Sequence, residues 1–349
     1  MTRTRYRLVA FTLMALALVA LVVGCKGATP SVIAIWPRAD AERTVPKPPE
    51  PPRWPLTGMP APSADILTRR VVSVKIENSS DSRPQSNLQL ADVVYESVTE
   101  GGITRFNAIF HSQAPSVVGP VRSARLSDIY IVPQYQALFA FSGASSSVNG
   151  RVNAAGIDNL SEDAGIVAPF TRSSSRPRPH NLYVDIEKVR AEGERRKMDV
   201  TAEIRPFEFD RRARETTPSV TEITIPFSQT NTVAWTYNAE DDVYMRVNNG
   251  KKFLDAETDT QISARNVVVM WAKHQVASRD KVGSTTYEIV LDGQGRAVVF
   301  RGGQRFECTW KAKKGAPPSF EAEDGTTVKL LPGNTWMQVI NTSVNIKLK

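Results

Sequence analysis

Five arginines in the first half of the chain stand among apolar or conformationally restricted residues: Arg83, Arg105, Arg122, Arg125 and Arg172. A guanidinium is costly to remove from water unless an acidic group accompanies it. Arginine also binds phosphate and carboxylate groups through pairs of parallel hydrogen bonds. The arginines therefore predict either internal ion pairs that fix strand ends or a binding site for an anionic ligand, and the sequence leaves both open.

Proton transfer beside such a site would need carboxylates or an imidazole. Glu96, Glu100 and His180 are the candidates for this role. Asn181, directly after His180, is a further candidate for binding the ligand. An enzyme and a binding protein are therefore both compatible with these residue types.

We expect Arg105, Arg122, Arg125 and His180 to lie close together. Arg105 stands in the middle of a predicted strand, so it needs a counter-charge or a ligand. Arg122 and Arg125 are three residues apart, which places them on one side of a turn or a first helical turn. His180 follows a stretch with two prolines, which restricts the backbone that carries it.

A serine hydrolase is a weaker alternative. The run Ser-Gly-Ala-Ser-Ser-Ser at 142–147 follows a predicted strand, but it lacks the second glycine of the Gly-x-Ser-x-Gly motif. Residue types alone permit a triad of Ser145, His180 and one of Asp92, Glu96 or Asp158.

No cofactor or metal is predicted. The three histidines do not lie at the spacing of zinc ligands. Acidic residues alternate in 255–259, but the segment lacks the glycine and the distal glutamate of a calcium loop. It is better explained as a solvated hairpin loop. No glycine-rich phosphate loop is present in the sequence.

The N-terminus has the layout of a secretory signal. Three arginines precede Leu8–Val23, an apolar run without charge, and a small residue then precedes Cys25. The run is shorter than the roughly 20 residues of a spanning helix. The segment resembles the lipobox of bacterial lipoproteins, which implies cleavage after residue 24 and acylation of Cys25 with fatty acids such as palmitate. An uncleaved membrane anchor is the alternative.

The composition favours an exported protein near an anionic surface. The chain of 349 residues has 44 basic and 36 acidic residues, a net charge of +8, and three of the arginines fall in the signal. The exported part therefore carries +5, which suits anionic lipid or wall polymer. No basic tail or aromatic–basic motif supports nucleic-acid binding. Cys308 is the second of two cysteines and is expected to be a buried free thiol.

The chain divides into five predicted segments. Residues 1–24 form the signal peptide, and 25–65 form the lipidated N-terminus and a proline-rich stalk, since ten of the 23 prolines fall between Ala28 and Pro62. Residues 66–205 form an α+β or α/β domain, and 206–218 form a linker. Residues 219–349 form a β-rich domain of barrel or sandwich type.

Alternating and β-branched runs predict the strands of the first domain near 71–76, 91–96, 103–110 and 138–141, and charge around an apolar stripe predicts a helix at 186–198. In the second domain, turn signals predict hairpins centred on 248–250, 292–295 and 332–334. Its four tryptophans, at 235, 271, 310 and 336, are expected to pack in the core rather than to form a sugar-stacking platform.

An ordered set of short motifs resembles the YerB-like family of bacterial lipoproteins. The motifs are Pro55–Pro60, Ile76–Asn78, Arg83–Leu88, Ala91–Glu96, Glu100–Phe106, Gly119–Arg125, Pro179–Tyr183, Asn266–Val269 and Gly333–Trp336. The resemblance covers nearly all of the exported chain and implies a two-part domain of unknown function, so it supplies an architecture and a location but no reaction.

These observations predict a lipoprotein on the outer face of the bacterial plasma membrane. Its expected role is a surface module that binds an anionic cell-envelope ligand or a partner protein, with the membrane contacted through the lipid anchor. The alternative is an envelope hydrolase or transferase that holds its substrate with the arginines.

Overall fold

The computed structural model describes residues 50–210, 219–279 and 285–349. The predicted signal peptide (1–24), the lipidation site Cys25 and the predicted stalk as far as residue 49 lie outside these residues. The predicted linker lies outside them from residue 211 onward.

The first half mixes strands and helices. Its elements are β1 (Val72–Glu77), β2 (Val93–Val98), β3 (Thr104–Phe110), α1 (Asp128–Gln134), β4 (Leu138–Phe141), α2 (Ser146–Ala154), β5 (Asn159–Ser161), β6 (Phe170–Arg172), β7 (Leu182–Val184) and α3 (Ile186–Arg195).

The second half is built from strands in the ranges that the structure describes. Its elements are β8 (Glu222–Ser228), β9 (Asn231–Asn238), β10 (Val243–Asn248), β11 (Lys251–Lys252), β12 (Ser263–Ala264), β13 (Asn266–Ala272), β14 (His274–Arg279), β15 (Thr285–Ile289), β16 (Gly293–Arg301), β17 (Gln304–Lys313), β18 (Ala316–Glu321), β19 (Thr335–Asn341) and β20 (Lys347–Leu348). The predicted fold class, a mixed α/β half followed by a β-rich half, is confirmed.

Strands from both halves join in one ten-stranded sheet. Its order is β18-β17-β16-β13-β19-β2-β3-β1-β4-β5, and β19 pairs in parallel with β2, which joins the two halves. The parallel pairs β13–β19, β19–β2, β1–β4 and β4–β5, with antiparallel β3 between β2 and β1, give six strands one common direction. Their carboxyl ends therefore lie along one edge of the sheet, where ligands commonly bind in α/β proteins.

Apolar and polar residues alternate along β1, so the two faces of this sheet have different surroundings. Val72, Val74 and Ile76 belong to a core shared with a six-stranded sheet, which has the order β11-β10-β9-β8-β20 with β12 also paired to β10. The intervening polar residues of β1 point to the opposite face, which α1 and α2 cover. The two sheets thus form a sandwich around the first core, and a second core lies beneath the helices.

The four tryptophans of the second half are all buried, at 0 to 5 % exposure. They pack in the core, as expected, and none presents a face to solvent on which a sugar could stack. Cys308 is half-buried and free, and burial raises the pKa of its thiol to about 12.

A fully buried ion pair connects the two halves between the sheets. The guanidinium of Arg246 on β10 binds the carboxylate of Glu96 on β2 through contacts of 2.8 and 2.9 Å. Phe106, Trp235 and the other surrounding rings lie 4.6–5.5 Å from the guanidinium carbon. Aromatic faces stabilise a cation, so this arginine is held by one carboxylate and an aromatic cage.

The predicted stalk extended too far toward the folded region. Trp54 and Leu56 are buried, and the N–H of Trp54 donates to the carbonyl oxygen of Met59. His111 packs edge-on against the Trp54 ring at 5.0 Å. The high proline content predicted no packed structure in this segment. Burial of two large apolar side chains nevertheless holds a short turn against the core.

Two predicted hairpins of the second half are wrong. The strands flanking residues 292–295 do not pair with each other, since β15 pairs with β14 and β16 pairs with β13 and β17. The hairpin centred on 332–334 is not formed, because the residues before it form only isolated bridges and β19 pairs with β13 and β2. The predicted solvated loop at 255–259 is exposed from residue 256 onward, but Asp255 is buried and accepts the backbone N–H of Gln89, at 3.4 Å, and that of Glu257, at 3.0 Å.

Candidate anion-binding site

A cluster of charged residues lies at the carboxyl edge of the large sheet, on the face covered by the helices. Glu77 ends β1, Glu100 follows β2, and Arg105 lies near the start of antiparallel β3. Glu77 and Arg105 are direct partners in the β1–β3 register. The sheet therefore brings residues that are far apart in sequence to one place.

Glu77 is the centre of the cluster. Its side chain is almost fully buried, and one carboxylate oxygen lies 3.1 Å from Nε of Arg122. The other oxygen lies 2.9 Å from Nδ1 of His180. Arg122 is positioned by its backbone N–H, which donates to the carbonyl oxygen of Lys75 in β1 at 2.8 Å. About a fifth of the Arg122 side chain and 17 % of His180 remain exposed, so both reach solvent.

Arg105 is the unusual member of the cluster. The residue is 7 % exposed, and within the described residues no carboxylate forms an ion pair with it. Its one hydrogen bond runs from NH1 to the carbonyl oxygen of Ser123, at 3.3 Å. Its Nε is buried and has no partner there. Burial, followed by the positive charge of Arg125, lowers the pKa of Arg105 to about 9; Arg122 adds to this shift, and the charges of Glu100 and Glu77 partly oppose it.

Arg125 contacts the same carbonyl oxygen of Ser123, also at 3.3 Å. Nε and NH2 of Arg125 bind one carboxylate oxygen of Glu100, at 2.9 and 2.7 Å. Burial raises the pKa of Glu100, but Arg125 outweighs it and the net shift is downward. Two guanidinium groups therefore converge on one backbone oxygen, although only one of them has an acidic partner.

Beneath the arginines lies a buried pair that the sequence analysis did not identify. Nζ of Lys75 donates to Asp128 at 2.8 Å, and Asn107 donates to the same oxygen. The pKa of Lys75 is lowered because burial outweighs the attraction of Asp128. The signal was present, since Val-Ser-Val-Lys-Ile-Glu in β1 places polar residues at every second position. The same pattern would have identified Glu77.

The structure therefore brings together Arg105, Arg122, Arg125 and His180, as the sequence analysis expected, with Glu100 among them. Arg172 and Asn181 form a second group on the loop that carries His180. Arg172 binds Glu162 through both carboxylate oxygens, at 2.8 and 2.7 Å, and donates to Asn181 at 3.0 Å.

Two predicted site residues lie elsewhere. Arg83 donates to the side chain and the carbonyl oxygen of Asn78, each at 2.9 Å. Glu96 is opposite Phe106 in the β2–β3 register, so it points to the other face of the sheet from Arg105. It is fully buried and bound by Arg246. A carboxylate without access to solvent cannot exchange protons with a ligand at this edge, which removes Glu96 from the acid–base candidates.

The serine triad is not assembled. Ser145 is the N-cap of α2 and accepts the backbone N–H of Val148 at 3.4 Å, while Nδ1 of His180 contacts Glu77. The three acids proposed as the third member are also engaged elsewhere: Glu96 with Arg246, Asp158 with Arg70, and Asp92 with the backbone N–H groups of His111 and Ser112.

The described residues contain no group of three or more potential metal ligands. They also contain no helix that is long and apolar enough to cross a membrane. The cluster itself consists of guanidinium groups and an imidazole with tethered carboxylates. Such a set binds anions by charge-assisted hydrogen bonds.

Comparison with known proteins agrees with the two-part organisation. Residues 56–199 match the N-terminal domain and residues 223–337 the C-terminal domain of a protein family of unknown function, DUF3048. "Putative lipoprotein YerB" of Bacillus subtilis (strain 168) is 28% identical over 289 residues, which are 82% of this chain and 85% of that protein. The crystal structure of YerB from Bacillus subtilis superposes with a TM-score of 0.75 and covers 85% of this chain and 99% of that one.

Proposed function

The chain belongs to the DUF3048 family of proteins of unknown function, and we propose that it is a lipid-anchored protein of the outer face of the plasma membrane that binds an anionic cell-envelope ligand. The similarity to a protein named as a lipoprotein supports the anchor. The observation that carries the binding role is Arg105, a buried guanidinium without an acidic partner among the described residues.

The energetics favour a ligand with phosphate groups. A buried charge without a partner is unfavourable, and an anion that reaches it recovers the lost interaction. Arg122 and Arg125 flank Arg105 and are partly exposed, so they supply further donors without leaving the surface. The tetrahedral oxygens of a phosphate accept hydrogen bonds from several guanidinium groups at once.

The binding role is tested by titrating the protein with inorganic pyrophosphate in a calorimeter at low salt. Arg122→Ala should weaken binding by roughly 10- to 100-fold, the cost of losing a charged hydrogen bond; it should also lower the melting temperature, because the buried carboxylate of Glu77 loses one of its partners, so binding is measured at a temperature where both proteins are folded. Arg195→Ala is the matched control, since Arg195 is an exposed arginine on α3. Equal affinity of Arg122→Ala and wild type would refute the role of this cluster.

The lipid anchor is tested separately by metabolic labelling with a radioactive fatty acid. Label should enter the wild-type protein and not Cys25→Ser, and the variant should be released from membranes. Absence of label from both proteins, with equal release, would contradict lipidation.

One observation favours an enzyme as the second candidate. The contact between Glu77 and Nδ1 of His180 orients the imidazole and leaves Nε2 toward solvent, where it lies 4.0 Å from Asp81. A carboxylate-oriented histidine beside arginines is an arrangement for general acid–base catalysis on a phosphate ester. Hydrolysis of a chromogenic phosphodiester that His180→Gln abolishes would establish a hydrolase. Equal background rates in both proteins would exclude this reaction.

A further inference from the structure

A groove of about 450 Å³ lies beside the ribbon formed by β6 and β7. Both halves of the chain contribute to it, since Ala256 and Glu257 line it together with residues of the first half. Hydroxyl groups dominate the lining: they belong to Ser86, Ser116, Thr171, Ser173, Ser175 and Tyr183.

Four of these hydroxyls have no hydrogen-bond partner among the described residues: those of Ser86, Ser116, Thr171 and Tyr183. Ser173 and Ser175 bond to each other at 2.7 Å. A hydroxyl carries one donor and two acceptor positions. The unpartnered hydroxyls along this groove can therefore both donate hydrogen bonds to a ligand and accept them from it. A ligand rich in hydroxyls requires both.

The groove carries little net charge. Arg176 and Glu257 offset each other, and both act on the Tyr183 phenol, whose pKa is raised by burial in spite of Arg176. The Arg176 guanidinium is already engaged, because it donates to the carbonyl oxygens of Ser82 and Pro84 at 2.6 and 2.7 Å. The groove therefore suits an uncharged part of a ligand rather than an anion.

Two loops connect this groove with the arginine cluster. The loop at 78–86 reaches from Glu77 in the cluster to Ser86 in the groove. The loop at 173–181 carries Ser173 and Ser175 in the groove and His180 on Glu77. Seven peptide units separate Ser173 from His180, which limits the distance between them to about 25 Å, and one extended ligand can span such a distance.

We propose that the protein binds a phosphate-bearing polyol or carbohydrate chain, with a phosphate at the arginine cluster and the hydroxyl-rich chain in the groove. This inference rests on the proposed function, because the cluster supplies the phosphate site. It adds the class of ligand and a second site that the arginines do not define.

Three probes separate the two sites: inorganic tetraphosphate, neutral tetraglycerol and a tetramer of glycerol phosphate. The groove variant is Thr171→Val combined with Tyr183→Phe, which removes two hydroxyls and preserves side-chain shape. Thr236→Val, at an exposed position of β9, is the matched control. Affinities are measured by calorimetry on the full chain, and thermal unfolding verifies that each variant is folded.

The groove variant should bind the glycerol phosphate tetramer roughly 5- to 100-fold more weakly, the effect of two lost hydrogen bonds, and should bind tetraphosphate as wild type does. Arg122→Ala should weaken binding of both. If the groove variant binds the tetramer as wild type does, or loses as much affinity for tetraphosphate as for the tetramer, the groove is not a binding site. Neither result contradicts phosphate binding at the arginine cluster. Wild-type binding of tetraglycerol but not of tetraphosphate, lost in the groove variant, supports the groove and overturns the proposed function. If wild type binds none of the probes, both proposals are overturned.

Discussion

Replacing Arg105 with methionine should stabilise the protein and abolish phosphate binding. The pKa of Arg105 falls from 12.5 to about 9, a difference of about 3.5 units. At 1.36 kcal/mol per unit, the folded state disfavours the charged form by at most about 5 kcal/mol. Methionine keeps the apolar stem and removes the charge, at the loss of one hydrogen bond to Ser123 worth about 1 kcal/mol.

The expected net change is a gain of up to about 4 kcal/mol in the free energy of unfolding, the penalty on the charged form less the lost hydrogen bond; replacing buried ion pairs by apolar residues gives gains of similar size, about 1–4 kcal/mol. Urea denaturation at pH 7 measures it. Arg125→Met is the matched control, because that arginine neutralises Glu100 and its removal should destabilise the fold or leave it unchanged. A gain in stability for Arg105→Met without a gain for Arg125→Met is the signature of a site kept for a ligand.

The pH dependence gives an independent measure of the same effect. A base whose pKa is lower in the folded state destabilises the fold fully below the folded pKa, and this cost declines as pH rises from about 9 toward 12.5. The stability difference between Arg105→Met and wild type should therefore be constant from pH 6 to pH 8 and decrease above pH 9. A destabilised Arg105→Met that still binds pyrophosphate would refute the argument and assign Arg105 to the fold.

Two further predictions concern buried groups outside the cluster. Burial lowers the pKa of His111 from 6.5 to about 4, with Arg69 and Arg190 contributing. As the pH falls from 6.5 through 4, the free energy of unfolding of wild type should therefore decrease by about 3 kcal/mol relative to that of His111→Phe, measured by urea denaturation. Parallel pH profiles of the two proteins would contradict this. Glu96→Gln should lower the free energy of unfolding by about 3–5 kcal/mol, because it leaves Arg246 buried without a counter-charge. Adding Arg246→Met to this variant should restore much of the lost stability. Additive losses in the double variant would show that the pair is not coupled.

Local patterns predicted much of the first half. The strands near 71–76, 91–96, 103–110 and 138–141 and the helix beginning at Ile186 were recovered from alternation and charge, because each element lies between apolar layers that impose its period. The convergence of the arginines with His180 was also predicted, since the strand of Arg105 and the loop of Arg122 meet at one sheet edge.

Pairing between distant segments could not be predicted in the same way. The parallel pair of β19 with β2 joins segments more than 200 residues apart, and no local signal specifies it. The wrong assignment of Glu96 to the candidate site has a related cause. The face of the sheet to which a strand residue points depends on the pairing register, and a shift of one residue moves its side chain to the opposite face. Lys75 was missed although polar residues alternate along β1, because no sequence signal identifies Asp128 at the start of α1 as its partner.

The pairing of the arginines also determines what kind of ligand gains from this site. Arg122 and Arg125 already contact Glu77 and Glu100, so an incoming anion competes with carboxylates that are tethered to the protein. Of these three arginines, Arg105 alone forms no ion pair within the described residues. A single phosphate therefore gains one new strong interaction and exchanges partners at the others, which predicts weak binding of small anions. A chain with repeated phosphates rebinds from a high local concentration. The site is thus suited to holding a polymer of repeated phosphates and releasing each of them easily.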